Sequence, residues 1–172
     1  IYTECKTICP ILGANFNKLS ASLTAAKRHD VQLVSVSLTP NTDTPARLTK
    51  WASQFNSKMP ANWLLLTGDK QRTDKLLKKM QVFSVLVQEH APFTVIIDSQ
   101  EQKFYRLNGF SSAEQIITFL NKLPASKKSL VKSPGANYFT DGILIDQDNN
   151  KHRFYSDLIK DKIIIINTFF TS

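Results

Sequence analysis

Apolar positions recur along this chain with two different periods, and their alternation predicts an α/β fold. In PILGANFNKLSASLTAAKRH, from Pro10 onward, Ile11, Leu12, Phe16, Leu19 and Leu23 have the spacing of one helix face. Pro10 falls in the first turn of that helix, where its missing N–H costs nothing. VQLVSVSL, at 31–38, alternates and is rich in β-branched residues, which makes it a strand. The loop TPNTDTP follows, and Asp43 or Thr44 ahead of Pro45 marks a helix start. That helix runs to about Phe55, with Leu48, Trp51, Ala52 and Phe55 inward. Trp63 to Leu66 is a short buried strand stopped at Thr67-Gly68, and DKQRTDKLLKKMQV is a third helix. PFTVIID (92–98) and KFYRLNG (103–109) form a β-hairpin. Ser111 or Ser112 with Glu114 then opens a last, strongly periodic helix, SAEQIITFLNKL.

Residues 1–123 thus read helix, strand, helix, strand, helix, hairpin, helix, and no strand precedes the first helix. In folds of this kind a central strand delivers the active loop at its C-terminal end. Such a strand lies at the opposite end of the chain. PASKKSLVKSPGA (124–136) is a Lys/Ser/Pro/Gly linker. Segment 137–172 then holds a hairpin turning at Asp148-Asn149-Asn150, a short turn DLIKDK, and the run KIIIINTFF. That run is the most hydrophobic and β-branched in the chain, as a strand buried on both faces requires. Its tail, Phe169-Phe170-Thr171-Ser172, parallels Ile1-Tyr2-Thr3-Glu4, as though a second copy of the domain were beginning or the domain were circularly permuted. The expected architecture is a mixed central sheet flanked by helices, its central strand provided by the C-terminal segment in cis or by exchange between chains. A linker of this length reaches roughly 40 Å when extended, enough to cross the domain.

Composition changes this picture little. The 172 residues are 42% hydrophobic and 21% charged, an ordinary globular balance. No apolar run reaches the roughly 18 residues that a membrane-spanning helix needs. The net charge of +8 invites an anionic partner. The 22 Lys and Arg are scattered, however, apart from KLLKKM and KKSLVK, and no nucleic-acid-binding signature accompanies them. A solvated basic surface is the simpler reading.

Chemistry concentrates in IYTECKTICP. Cys5 and Cys9 are the only cysteines in the chain and stand three residues apart at the start of the first helix. Amide N–H groups and the helix dipole there favour thiolate. A Cys-x-x-x-Cys pair on one turn can chelate a soft ion or close a disulfide. Two core cysteines acting as small hydrophobes are the alternative, against which the charged Lys6 between them argues. Of the three histidines, His29 ends the first helix and His152 lies in a polar hairpin, both ordinary surface positions. His90, in QEHAPF just before the hairpin's first strand, is placed to face the cysteine loop in a thioredoxin-type sheet, and could complete a three-ligand site.

YTECKTICP, VSVSLTPNTDTPARL, WLLLTG and EHAPFTVIIDSQEQKFYRLNG, in this order and spacing, resemble the Sco/SenC copper-chaperone family of thioredoxin-like proteins over roughly residues 1–123. Segment 138–172 resembles the part of that family that normally precedes the cysteines. The resemblance implies a thioredoxin-like domain in which Cys5, Cys9 and His90 are copper ligands. It also implies delivery of copper to the binuclear site of cytochrome oxidase, or thiol–disulfide reduction of that site's cysteines. Such proteins work in the bacterial periplasm or the mitochondrial intermembrane space, usually tethered to a membrane. The chain departs from the family at Thr39-Pro40, where an Asp normally precedes the proline, and has a short stretch between Met80 and His90. Glu89 keeps the acid common before the histidine.

Three readings remain. The first is a copper metallochaperone whose thiolates select Cu(I) and whose imidazole extends the site to Cu(II). The second is a thioredoxin-like thiol–disulfide oxidoreductase without a metal role. The third is a divergent scaffold with neither activity. A peroxidase is disfavoured, because Thr3 lies only two residues before Cys5 and the first twenty residues contain no Arg. A hydrolase triad has no support either.

Overall fold

The structure, a computed structural model, describes residues 8–81, 92–123 and 139–169. Among the described residues seven strands form one sheet in the order β4-β3-β7-β1-β2-β5-β6. The helices are α1 (Ile8–Ala25), α2 (Pro45–Ala52), α3 (Lys70–Lys79) and α4 (Ala113–Lys122). The strands are β1 (Val31–Ser37), β2 (Trp63–Gly68), β3 (Phe93–Asp98), β4 (Lys103–Asn108), β5 (Ile143–Asp146), β6 (Lys151–Arg153) and β7 (Ile163–Phe169). The turn expected at DLIKDK is confined to residues 160–162, and a π-helical segment, Phe154–Ile159, leads into it and buries Phe154, Tyr155, Leu158 and Ile159.

β7 occupies the middle of the sheet. It runs parallel to β1, from Val31↔Ile163 to Ser37↔Phe169, and antiparallel to β3 of the same chain, from Val95↔Ile166 to Asp98↔Ile163. Ile163 to Ile166 are at most 5% exposed, so both faces of the strand are covered. That coverage is why its sequence is a continuous apolar run rather than an alternating one. The start of β7 is pinned at both edges. Ile163 N–H donates to Asp30 O at 2.9 Å, and Lys162 N–H donates to Ser99 Oγ at 3.0 Å.

Two cores lie on opposite faces. One packs α1, α2 and α4 on Val31, Leu33, Trp63, Leu65, Ile96, Ile163 and Ile165. The other packs α3 and the π-helical segment on Val34, Val36, Leu66, Val95, Ile97, Ile164 and Ile166. On α1 the buried stripe is Leu12, Phe16, Leu19 and Leu23, whereas Ile11, expected inward, is 51% exposed. Residues 11 and 12 differ by about 100° around a helix, so only one of them can join that stripe. α2 stops at Ala52 rather than Phe55, yet the Phe55 ring still packs edge-on to Trp51 with centroids 4.7 Å apart. Thr44 is its N-cap and Asp69 caps α3. At α4, Ser112 closes a capping box with Gln115 rather than with Glu114, which pairs with Lys18 of α1.

Candidate functional site

Cys9 is the second residue of α1. Five residues separate the end of α1 from β1, so the helix folds back antiparallel along the strand. From Ala25 back to Cys9 the helix rises about 24 Å. The seven residues of β1 span about 20 Å, so Cys9 lies over the end of the sheet where β1 and β7 finish. β3 runs the other way, so Phe93, its first residue, starts at that same end. The sheet therefore gathers three things at one edge: the first turn of α1, the C-terminal ends of β1 and β7, and the beginning of β3.

Cys9 packs into the apolar core beneath α1. Cys9 is 3% exposed and belongs to the cluster of Phe16, Leu19, Trp51 and Trp63. The non-apolar surroundings expected from Lys6 are thus not what holds this cysteine. It continues the stripe 12, 16, 19, 23 one step toward the N-terminus, a periodicity that predicts its burial without any tertiary information. Beneath this turn the sheet face becomes polar. Ile163 and Ile165 face α1, and strand alternation puts Asn167 on the same face. Asn167 pairs in register with Ser35, whose Oγ accepts the Trp63 indole N–H at 2.9 Å. Asn167 is fully buried, and among the described residues neither its Oδ1 nor its Nδ2 has a hydrogen-bond partner. Such a group loses its hydration without compensation. Its only sequence signal is that it is the first polar residue to interrupt IIII.

The loop after β1 adds a carboxylate. Asp43, 1% exposed, accepts hydrogen bonds through Oδ2 from the hydroxyls of Ser37 and Thr39, the latter at 3.1 Å. Thr39 stands where an acid was expected, so the fold brings a buried acid to this turn from four residues further along. In the sequence Asp43 reads only as a possible helix cap, a role that Thr44 performs instead.

Cys5 lies in segment 1–7 and His90 in segment 82–91, both outside the described residues. Among the described residues, no group of three or more His, Cys, Asp and Glu side chains is arranged to hold a metal ion. The two other histidines have ordinary surroundings. His29 is exposed in the turn after α1, and His152 of β6 donates through Nε2–H to Asp146 Oδ2 at 2.7 Å. No helix among the described residues is long and apolar enough to cross a membrane.

Known proteins agree with this architecture. A SCO1/SenC family lipoprotein of Bacillus anthracis str. Ames, known from a crystal structure, superposes with a TM-score of 0.57 and 30% identity. That match covers 71% of this chain and 76% of the other. The class is therefore the α/β, thioredoxin-like one that the resemblance implied. A SCO1 protein homolog of Bacillus subtilis (strain 168) is 38% identical over 71 residues, which are 41% of this chain and 36% of the relative. A Stutzerimonas stutzeri protein named as copper-binding is 30% identical over 79 residues, 46% of this chain and 37% of the relative. The chain thus spans little more than a third of these two relatives. The SCO1/SenC family profile matches residues 1–124, the part that contains Cys5, Cys9 and His90. By that match, the chain belongs to the SCO1/SenC family.

Proposed function

We propose that this chain is a copper metallochaperone in which Cys5, Cys9 and His90 hold one copper ion as cargo. The observation that carries the proposal is the family match across the segment containing all three residues, joined to the position of Cys9. That residue sits at the start of α1, at the sheet end where β3 begins three residues after His90. Two thiolates select Cu(I), and an imidazole from a separate segment extends the site to Cu(II). The copper-binding name of the Stutzerimonas relative supports the choice of ion. The recipient would be the copper-site subunit of cytochrome oxidase or another cuproprotein, reached outside the cytoplasmic membrane. The lipoprotein nature of the Bacillus anthracis neighbour supports an extracytoplasmic, tethered setting.

A second reading draws on the burial of Cys9. A cysteine 3% exposed in an apolar cluster suits the buried partner of a disulfide couple, resolving a bond first made by a more accessible thiolate. Thiol–disulfide exchange with a partner protein would then be the activity, and His90 would be dispensable. Titration of the reduced chain with Cu(I) against a competing chelator separates the two readings. One copper per chain is expected, together with thiolate-to-metal charge-transfer absorption on loading with Cu(II). Cys5→Ser and Cys9→Ser should abolish tight binding, and His90→Ala should remove Cu(II) binding first. Absence of copper binding by the reduced chain, with a defined potential against glutathione, would overturn the metallochaperone in favour of the redox reading.

A further inference from the structure

On the face of the sheet opposite α1, α3 and the approach to β5 border an open cavity of about 690 Å³. Its floor is apolar, made by Leu76 of α3, Leu144 of β5, and the Phe139 and Phe154 rings. The two rings meet edge to face with centroids 5.7 Å apart. Its rim is cationic, with Arg72 and Lys75 of α3 exposed along one side and Lys78 and Lys79 continuing the row.

The described acids nearby do not neutralise Arg72 and Lys75. Asp74, the only acid within α3, pairs with Lys70 at 2.5 Å. Asp69 accepts the Arg72 backbone N–H as the helix cap. Asp141, the only acid lining the cavity among the described residues, accepts from Ser156 N–H at 2.8 Å and Ser156 Oγ–H at 2.5 Å. Neither Arg72 nor Lys75 has a carboxylate partner for its side chain among the described residues. A row of cations on a surface helix is ordinarily just a solvated face. What sets this one apart is the apolar floor below it, within a volume that suits a bound small molecule (pockets of about 300–1,000 Å³).

We infer that this cavity binds an anionic amphiphile, a molecule with one carboxylate or phosphate head on an apolar body. The head sits against Arg72 and Lys75, and the body covers Leu76, Leu144 and the two rings. An inorganic anion would make no use of the apolar lining, and a neutral hydrophobe would leave Arg72 and Lys75 without a counter-charge. Charged hydrogen bonds to a partly desolvated head are the stronger class, and Arg offers a planar fork that matches either head. The site is on the face away from Cys9, so its occupancy does not depend on the copper reading.

The test is a titration of the 172-residue chain at low salt with decanoate and, separately, decyl phosphate, both below micelle formation. Binding is followed by calorimetry and by the methyl resonances of Leu76 and Leu144. Saturable one-to-one binding that moves those methyls is expected. The R72Q/K75Q double variant should weaken it by about tenfold or more, with an unchanged unfolding midpoint because both residues are exposed. Inorganic phosphate and decanol should each bind at least tenfold more weakly than decyl phosphate. Unaltered affinity in R72Q/K75Q, or equal binding of inorganic phosphate, would overturn the inference. So would binding to phosphatidylglycerol vesicles without binding to either monomeric probe, which would make the rim a membrane-facing surface. Failure of all probes would also overturn it.

Discussion

Cys9 and Asn167 show how differently two site residues are encoded. Cys9 is buried because it falls on the stripe of Leu12, Phe16, Leu19 and Leu23, so its burial is legible from spacing alone. Asn167 is legible only as an exception, a polar residue closing the run IIII, and nothing local says that its amide will lack partners among the described residues. An unpaired buried amide costs about 1–3 kcal/mol. Replacing it with the near-isostere in Asn167→Leu should therefore raise the denaturant midpoint of the apo protein with no change in slope. A lower midpoint would show that the amide is engaged. Conflicts of this sort between local chemistry and packing are expected where function, rather than stability, sets the residue. Gly13 makes the same point for packing. A Cβ there would come 2.3 Å from Phe55 Cζ, and the Phe55 ring is itself held against Trp51 and Trp63. Gly13→Ala gains about 1 kcal/mol of helix propensity but meets overpacking of about 1–3 kcal/mol. A net loss of stability of about 1 kcal/mol is expected in chemical denaturation.

Among the elements, the hairpin β5–β6 depends most on a single side chain. Asp146, buried at the end of β5, accepts from Asp148 N–H at 2.9 Å, Asn150 N–H at 2.8 Å, Asn150 Nδ2 at 3.1 Å and His152 Nε2–H at 2.7 Å. Burial pushes its pKa up, but the His152, Asn150 and Asp148 hydrogen bonds outweigh that, and the carboxyl titrates below its ordinary value. A depressed carboxyl contributes stability that is fully present above the unfolded pKa of about 3.9 and is lost as pH falls through the folded value. Thermal unfolding should therefore show a loss of stability beginning near pH 4 (the unfolded carboxyl value) and growing as the pH is lowered. Asp146→Asn should be less stable than the parent by about 1–3 kcal/mol at neutral pH, with the gap closing in acid. A gap that does not change with pH would remove the carboxylate from the account. The turn at Asp148-Asn149-Asn150 was legible from its residue types, and Asn149 adopts the left-handed conformation that Asn tolerates (φ 66°). The hairpin's attachment to β2 was not legible. It is an antiparallel ladder from Leu66↔Asp146 to Gly68↔Leu144, extended by Gln147, whose Oε1 accepts Leu65 N–H at 3.0 Å and whose backbone carbonyl accepts Thr49 Oγ1–H of α2 at 2.8 Å. Neither contact has a counterpart in the sequence pattern.

For the molecule as a whole, one strand decides whether there is a single sheet. Without β7 the order separates into β4-β3 and β1-β2-β5-β6, which share no ladder. The need for such a strand, and its location in KIIIINTFF, follow from the sequence because a doubly covered strand must be apolar at every position. How α1 meets α4 does not follow, since it depends on long-range contacts such as Asn15 Oδ1 accepting Ala113 N–H at 2.7 Å. The central position of β7 also orders events in time. Its partner Val31 lies about 130 residues earlier, a separation that makes folding slow. During synthesis β1 and β3 emerge well before β7, each with a bare inner edge of unpaired N–H and C=O groups that any strand can dock onto. The refolding yield of this protein should therefore fall steeply with concentration. The lost material should be recovered as strand-exchanged multimers in which the β7 of one molecule fills the gap in another.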